Sequence, residues 1–212
     1  MRKQVEKSHY QFHKYMSKKR WMSVWHQIDE VSRFKPSRVL EIGPGPGVFK
    51  SAARSFGLQV ETLDIDPELK PDHVAPAEAM PFEDNEFDVA CAFQMLEHVP
   101  YDLSLKIFKE MCRVARYGVV ISLPDAEAVW PFSLYIPFRG GIQFHVVRPF
   151  RNKMIHTFDG EHYWEINKVG YELKKVLSDF YGSDDKVLIK HFKVFDNPYH
   201  HFMVYSAREI GV

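Results

Sequence analysis

The chain has 212 residues, of which 45% are hydrophobic and 26% are charged. This composition is that of a folded domain with a continuous core, and it excludes a disordered chain, a collagen-like chain and a disulfide-rich miniprotein. Lys and Arg together number 28, as do Asp and Glu, so the formal net charge is zero. A dedicated nucleic-acid-binding protein is therefore not expected, because such proteins carry an excess of positive charge.

The two cysteines, Cys91 and Cys112, lie in apolar stretches and do not form a Cys-x-x-Cys pair. This predicts two reduced core residues in a cytosolic protein. The N-terminal residues show no apolar segment of a secretory signal. No run approaches the roughly 18 apolar residues of a membrane-spanning helix. We therefore expect a soluble, cytoplasmic protein.

Positive charge is concentrated in residues 1–20, which hold seven basic side chains and one acidic side chain. Apolar residues spaced by three and four from Tyr15 to Trp25 predict an amphipathic helix that runs to about Phe34. We divide the chain into an N-terminal basic and aromatic helix, residues 1–35, and a main domain, residues 36–212. The helix is either a lid or anion-binding arm, or a packing helix with a solvated basic face.

After this segment, short apolar runs alternate with helical patterns. Strands are predicted at 39–42, 60–63, 73–74, 87–93, 118–123, 186–196 and 200–207, and helices at 48–56, 103–114 and 167–180. Alternating strands and helices predict an α/β fold with a parallel sheet and crossover helices.

Residues 124–160 interrupt this alternation with four prolines, a glycine pair and many aromatic side chains. Prolines at this density exclude one continuous helix, and a long segment without regular structure is typical of a lid or binding loop. The segment follows the fifth strand, where open α/β sheets bind their ligands. We expect a hydrophobic lid with Trp130, Tyr135 and Phe138 as substrate contacts; the alternative is a dimer interface.

A glycine-rich turn, Gly43-Pro44-Gly45-Pro46-Gly47, follows the first strand. Glycine permits a sharp turn and the close approach of a ligand. A dinucleotide-binding fingerprint would need glycine at position 48, where this chain has Val48. Asp64 ends the second strand, 21 residues after Gly43, and a carboxylate there can accept both hydroxyls of a ribose. The pattern indicates a nucleoside-containing ligand.

Together with Met80-Pro81-Phe82 and Leu96-Glu97-His98-Val99, these residues resemble the class I S-adenosylmethionine-dependent methyltransferases of the small-domain, type 11-like kind. The resemblance covers about residues 38–122. It implies a Rossmann-like, mostly parallel sheet of seven strands in the order 3-2-1-4-5-7-6, with strand 7 antiparallel. It also implies S-adenosylmethionine as the cofactor and a small-molecule methyl acceptor, partly apolar if the lid covers it.

The resemblance further implies where the cofactor binds. Glu41 and the glycine turn hold the methionine portion, Asp64 takes the ribose hydroxyls, and the Ala77 amide reaches the adenine edge. The family usually has Asp where this chain has Pro76, so adenine recognition must differ here. The implied cofactor-binding residues are Glu41, Gly43, Pro44, Gly45, Gly47, Asp64, Ile65, Ala77 and Gln94.

Two histidines are candidate general bases for an acceptor that arrives protonated. His98 follows the end of the fourth strand, and His145 lies in the predicted lid. For His98 the alternative is a structural histidine that orders its loop. The pair His200-His201 lacks a third ligand at metal-binding spacing, so no metal is predicted.

The segment 160–165 either lines the site or docks the lid. Two other functions stay open, an RNA methyltransferase that uses the basic N-terminal helix and a non-catalytic S-adenosylmethionine-binding regulator. A homodimer is also left open.

Overall fold

The computed structural model describes residues 12–138, 140–149, 154–181 and 186–207. The N-terminal helix forms as two pieces, α1 (Phe12–Tyr15) and α2 (Lys18–Ser32). Ser17 separates them, and its Oγ accepts a hydrogen bond of 3.1 Å from the Arg20 N–H. Serine at this position satisfies an amide that the first helical turn leaves without a partner. The part of the predicted helix before residue 12 lies outside the described residues.

A seven-stranded sheet forms the centre of the molecule, in the order β3-β2-β1-β4-β5-β9-β8. Strands β1 to β5 are parallel, and β9 is antiparallel to both β5 and β8. The predicted order and the antiparallel last strand are therefore confirmed, because β8 and β9 are the sixth and seventh strands of this sheet in chain order. The seven strands are β1 (Val39–Ile42), β2 (Val60–Asp64), β3 (His73–Val74), β4 (Phe87–Phe93), β5 (Ala115–Pro124), β8 (Lys186–Lys193) and β9 (His200–Ala207).

Helices cover both faces of this sheet. Helices α2 and α3 (Val48–Ser55) pack on one face, where Phe49 joins a buried cluster with Val39 and Val120. Helices α4 (Tyr101–Val114) and α5 (Leu173–Asp179) pack on the other, where Phe108 contributes to a cluster with Leu40. Successive side chains of a strand point to opposite faces of the sheet. Because helices cover both faces, the side chains on both are apolar.

Helix α5 is shorter than the sequence predicts. It begins at Leu173 rather than at residue 167. Asn167 and Gly170 have φ angles of 66° and 86°, in the left-handed region that interrupts a right-handed helix. Residues 167–172 therefore form a turn that precedes the helix, although their apolar spacing resembles that of a helix.

The prediction that residues 124–160 lack regular structure is wrong. Strands β6 (Val129–Ile136) and β7 (Gly140–Val147) form an antiparallel hairpin, a separate two-stranded sheet. Pro131 is accommodated in β6 because both strands of a two-stranded hairpin are edge strands. The rings of Phe132 and Phe144 stack across the pair with centroids 5.6 Å apart.

Among the residues that the structure describes, no helix combines the length and the apolar character required to cross a bilayer.

Candidate active site

A cavity of about 290 Å³ lies at the carboxyl ends of β1, β2 and β4. Open α/β sheets bind their ligands at this edge. The cavity wall contains eight of the residues singled out in the sequence, namely Glu41, Gly43, Pro44, Gly45, Asp64, Ile65, Gln94 and His98.

The glycine turn between β1 and α3 depends on residues without a side chain. Gly43 and Gly45 have φ angles of 64° and 52°, which L-residues rarely adopt. A Cβ atom on Gly43 would also lie 2.3 Å from the Cγ of Met95. Gly47 has a φ of 71° and caps α3. Its two chain neighbours line the cavity, but Gly47 itself does not.

Glu41, in β1, presents a buried carboxyl group to the cavity. Its Oε2 has no hydrogen-bond partner among the described residues. Burial raises the pKa of Glu41 to about 8, although the charge and backbone N–H of Lys50 oppose the shift. A buried carboxyl oxygen without a partner is costly, and a cationic ligand group in the cavity would satisfy it. The carboxyl group of Glu41 can therefore accept a hydrogen bond from the ammonium group of a methionine moiety.

Asp64 ends β2 and is partly buried, and this burial raises the pKa of its carboxyl group. Its Oδ1 accepts a hydrogen bond of 2.9 Å from the Asp66 N–H. Asp66 in turn uses its Oδ1 to cap the short helical turn Pro67–Leu69 by accepting from the Glu68 N–H. A carboxylate can accept about four hydrogen bonds, so Asp64 retains the capacity to bind two hydroxyls.

Gln94 follows β4 with a left-handed backbone, φ 53°. Its N–H donates to the carbonyl oxygen of Ser122 on the adjacent strand β5 at 2.9 Å. This bond holds the left-handed backbone of Gln94 in place at the cavity wall. Backbone strain of this kind is often found in functional sites.

The segment 160–166 is docked against the turn Leu96–His98. The indole N–H of fully buried Trp164 donates to the Leu96 carbonyl at 3.2 Å, and the Tyr163 N–H donates to the Glu97 carbonyl at 2.8 Å. These bonds bring Glu161 and His162 to the cavity wall. The segment therefore packs against the turn Leu96–His98 and also lines the cavity.

His98 is neutral at pH 7, because burial and the nearby His162 lower its pKa to about 4. Its Nδ1 lies 3.0 Å from the carbonyl oxygen of Glu161. A carbonyl oxygen only accepts hydrogen bonds, so we assign the proton to Nδ1 and the lone pair to Nε2. This bond also orders the loop, as the structural alternative for His98 expects.

Glu97 and His162 line the cavity together with His98. Burial raises the pKa of Glu97 to about 8. Burial alone would lower the pKa of His162, but the hydrogen bond to Glu165 and the charges of Glu97 and Glu165 outweigh it, and the pKa is raised. The His162 Nδ1 lies 3.0 Å from Glu165 Oε1.

The other predicted residues are not part of this cavity wall. Ala77 is buried in the core. His145 stacks on Phe195 with ring centroids 5.4 Å apart, in a second cavity beside α2. Three residues lie exposed on the hairpin, namely Trp130, Tyr135 and Phe138.

Several residues of the cavity wall were not predicted from the sequence. Tyr15, Arg20 and Gln27 reach it from α1 and α2, and the Arg20 guanidinium lies 4.2 Å from the centre of the Tyr15 ring. Only the basic and aromatic composition of this segment hinted at such a role. Glu97, Tyr199 and His200 were also not predicted, because they meet only in the folded chain. His162 belongs to the segment 160–165, which was expected either to line the site or to dock the lid.

The comparisons with known proteins agree with this geometry. A family model described as a methyltransferase domain matches residues 9–211. The chain belongs to this methyltransferase family. The resemblance to class I methyltransferases that the sequence motifs indicated is thereby confirmed.

Relatives of this methyltransferase, and solved structures of other proteins with a similar fold, extend the result. An uncharacterized methyltransferase of Mycobacteroides abscessus is 29% identical over 127 residues, which cover 52% of this chain and 47% of that protein. The chain thus spans about half the length of the relatives it matches. A structure of a Pyrococcus horikoshii protein has a TM-score of 0.62 at 17% identity and covers 96% of this chain and 100% of that one.

A second solved structure is that of the 1,6-didemethyltoxoflavin-N1-methyltransferase of Burkholderia thailandensis. It has a TM-score of 0.56 at 12% identity and covers 88% of this chain and 79% of that one. Both structures share the fold of this methyltransferase.

Proposed function

We propose that this methyltransferase transfers the methyl group of S-adenosylmethionine to a small-molecule acceptor. The observation that carries the proposal is the buried carboxyl group of Glu41, whose Oε2 lacks a partner among the described residues, beside the glycine turn. Asp64 lies on the wall of the same cavity. The Burkholderia protein supports the acceptor class, since its structure contains 1,6-didemethyltoxoflavin and S-adenosylhomocysteine.

In this proposal the cofactor is held at three points. Glu41 binds the ammonium group, Asp64 accepts the ribose hydroxyls, and Ile65 packs against adenine. The Ala75 N–H donates to the Asp64 carbonyl at 3.1 Å, so the backbone near Ala77 runs close to the ribose site. We therefore keep that backbone as the candidate for the adenine edge.

The chemistry is an in-line displacement at the methyl carbon. When bound, S-adenosylmethionine would supply the methyl group: a lone pair of the acceptor would form the new bond to carbon as the carbon–sulfur bond breaks, and S-adenosylhomocysteine, a neutral thioether, would leave. Catalysis of this step depends on alignment and on the exclusion of water. Tyr15 and Arg20 line the cavity, and we propose that α1 and α2 exclude water as a lid. His98 remains the candidate base for an acceptor that must lose a proton.

The acceptor class is tested by incubating the protein with methyl-labelled S-adenosylmethionine and either a metabolite extract or an RNA pool. We expect label in the small-molecule fraction. Label in RNA alone would contradict the proposal and favour the RNA methyltransferase. Binding of S-adenosylhomocysteine without transfer to either pool would favour the regulator.

Glu41 makes the stability of the free protein depend on pH. Its pKa is about 8 in the fold, against about 4.5 for an ordinary glutamate, so between these values the folded chain holds a proton that the unfolded chain has lost. The stabilisation is fully present below about pH 4.5 and is lost as the pH rises through 8. Lys50, Tyr15 and Cys91 are the other ionisable groups that interact with this carboxyl group.

We therefore expect the free energy of unfolding to fall more steeply between pH 5 and 8 in the wild type than in Glu41→Gln, whose amide stays neutral. Urea denaturation at four pH values measures both profiles, with Glu83→Gln at an exposed position as the matched control. Parallel profiles for the wild type and Glu41→Gln would refute the assignment.

The hairpin residues give a separate prediction. Tyr135 is 75% exposed and Phe138 is fully exposed, which is unusual for side chains of this size. If the hairpin closes over the acceptor, the double variant Tyr135→Ala/Phe138→Ala loses most turnover and keeps its affinity for S-adenosylhomocysteine. A changed sedimentation coefficient with normal turnover would instead assign the hairpin to a dimer interface.

A further inference from the structure

We propose that Glu97, His98 and His162 form a binding site for a divalent metal ion in the wall of the cavity. Each of the three residues offers one ligand atom, and these atoms all lie within 4.8 Å of one another. The three side chains line the same cavity as Glu41 and the glycine turn. The binding of the ion itself does not depend on the proposed function.

Glu97 is the observation that points to a cation. Its side chain is completely buried, and neither carboxyl oxygen forms a hydrogen bond with another described residue. Carboxyl groups buried in this way normally pair with a cation or bind a metal. The two imidazole rings beside it, with centroids 5.0 Å apart, supply the further ligands that such an ion requires.

The surroundings of both histidines match those of metal-binding histidines. In such sites the second ring nitrogen is held by a carbonyl or carboxylate group. The Nδ1 of His98 bonds to the Glu161 carbonyl at 3.0 Å, and the Nδ1 of His162 bonds to Glu165 at 3.0 Å. Glu165 is itself fixed by the hydroxyl of Tyr199, which donates at 2.8 Å. In the proposed site the metal ion binds the Nε2 atom of each ring.

The distances are compatible with a bound ion after a small adjustment. Tetrahedral coordination with bonds of about 2.1 Å places the ligand atoms about 3.4 Å apart, so the three groups would close by at most roughly 1.5 Å. Two imidazole nitrogens and one carboxylate oxygen favour ions such as Zn²⁺ over Mg²⁺. Three protein ligands leave coordination positions open. If the proposed function holds, an oxygen atom of the acceptor would bind there.

This site departs from the expectation of no metal. That expectation considered His200-His201, whereas the ligands here come from two segments, with His162 64 positions after His98. No local spacing reveals such a pair. Only the docking of the segment 160–166 on the turn Leu96–His98 brings the residues together.

The test is calorimetric titration of the chelator-treated full chain with Zn²⁺. We expect one ion per chain, with binding at least about 100-fold weaker in Glu97→Gln, which keeps the shape of the side chain. His73→Asn, a histidine outside the cavity, is the matched control and keeps wild-type affinity. Glu165→Gln removes the negative charge that supports His162 without altering the three proposed ligands, and it is expected to weaken binding by about 10- to 100-fold.

Two results would overturn the proposal. One is the absence of stoichiometric Zn²⁺ binding to the folded wild type. The other is wild-type affinity in Glu97→Gln with a loss in Asp159→Asn, which would move the ion to the neighbouring group of Asp159, His162 and Glu165. If Glu97→Gln does not fold, Glu165→Gln decides, and unchanged affinity there contradicts the site. Titration with S-adenosylhomocysteine in parallel separates a failure of this site from a failure of the proposed function.

Discussion

Gly45→Val should abolish the binding of S-adenosylhomocysteine while the chain stays folded. Gly45 has a φ of 52° in the turn that lines the cavity, and a β-branched residue is a strong outlier in this conformation. Its side chain would either move the turn or enter the space of the cofactor. Calorimetry measures the affinity, and circular dichroism shows whether the fold is kept.

The matched control for this variant is Gly141→Val. Gly141 lies in β7, and a Cβ atom there meets nothing within 4 Å. The control should bind S-adenosylhomocysteine like the wild type. Normal binding by Gly45→Val would mean that the turn does not hold the cofactor.

Asp64→Ala should weaken the binding of S-adenosylhomocysteine by roughly tenfold to a few hundredfold. Hydrogen bonds to a charged group contribute about 1.5–3 kcal/mol each, and about 1.4 kcal/mol corresponds to a tenfold change in Kd. Asp66→Ala is the matched control, because the carboxylate of Asp66 caps the turn Pro67–Leu69. It should change the affinity much less.

The same titrations decide between these two carboxylates. Equal losses in Asp64→Ala and Asp66→Ala would contradict the assignment of the ribose site to Asp64. A loss confined to Asp66→Ala would transfer the ribose site to that residue.

The sheet and its ligand-binding edge could be predicted from the sequence, because their signals are local. Apolar runs of four to seven residues between helical patterns identified β1, β2 and β4. The glycine turn and Asp64 follow directly on two of these strands. The carboxyl ends of parallel strands share one edge, so these residues had to lie close together.

The hairpin could not be predicted in the same way. Prolines and glycines are read as loop signals. The pairing of β6 with β7 tolerates Pro131 because, among the described residues, neither strand pairs with a third strand. The position of the hairpin outside the main sheet is a tertiary property. For the same reason the sequence could not show that His145 faces a second cavity.

The remaining part of the cavity wall depends on contacts between distant segments. Arg20 reaches the cavity because α2 packs on the sheet face next to α3, and His162 reaches it because Trp164 is buried against the turn Leu96–His98. A buried tryptophan can be expected from its type alone, but its partner cannot. These contacts therefore required the structure.

The most direct test of the account is calorimetric titration of the full chain with S-adenosylhomocysteine and, separately, with NADH. The account predicts saturable binding of S-adenosylhomocysteine with one site per chain and much weaker or undetectable binding of NADH, because Val48 stands where a dinucleotide-binding turn needs glycine. Tighter binding of NADH than of S-adenosylhomocysteine would contradict it.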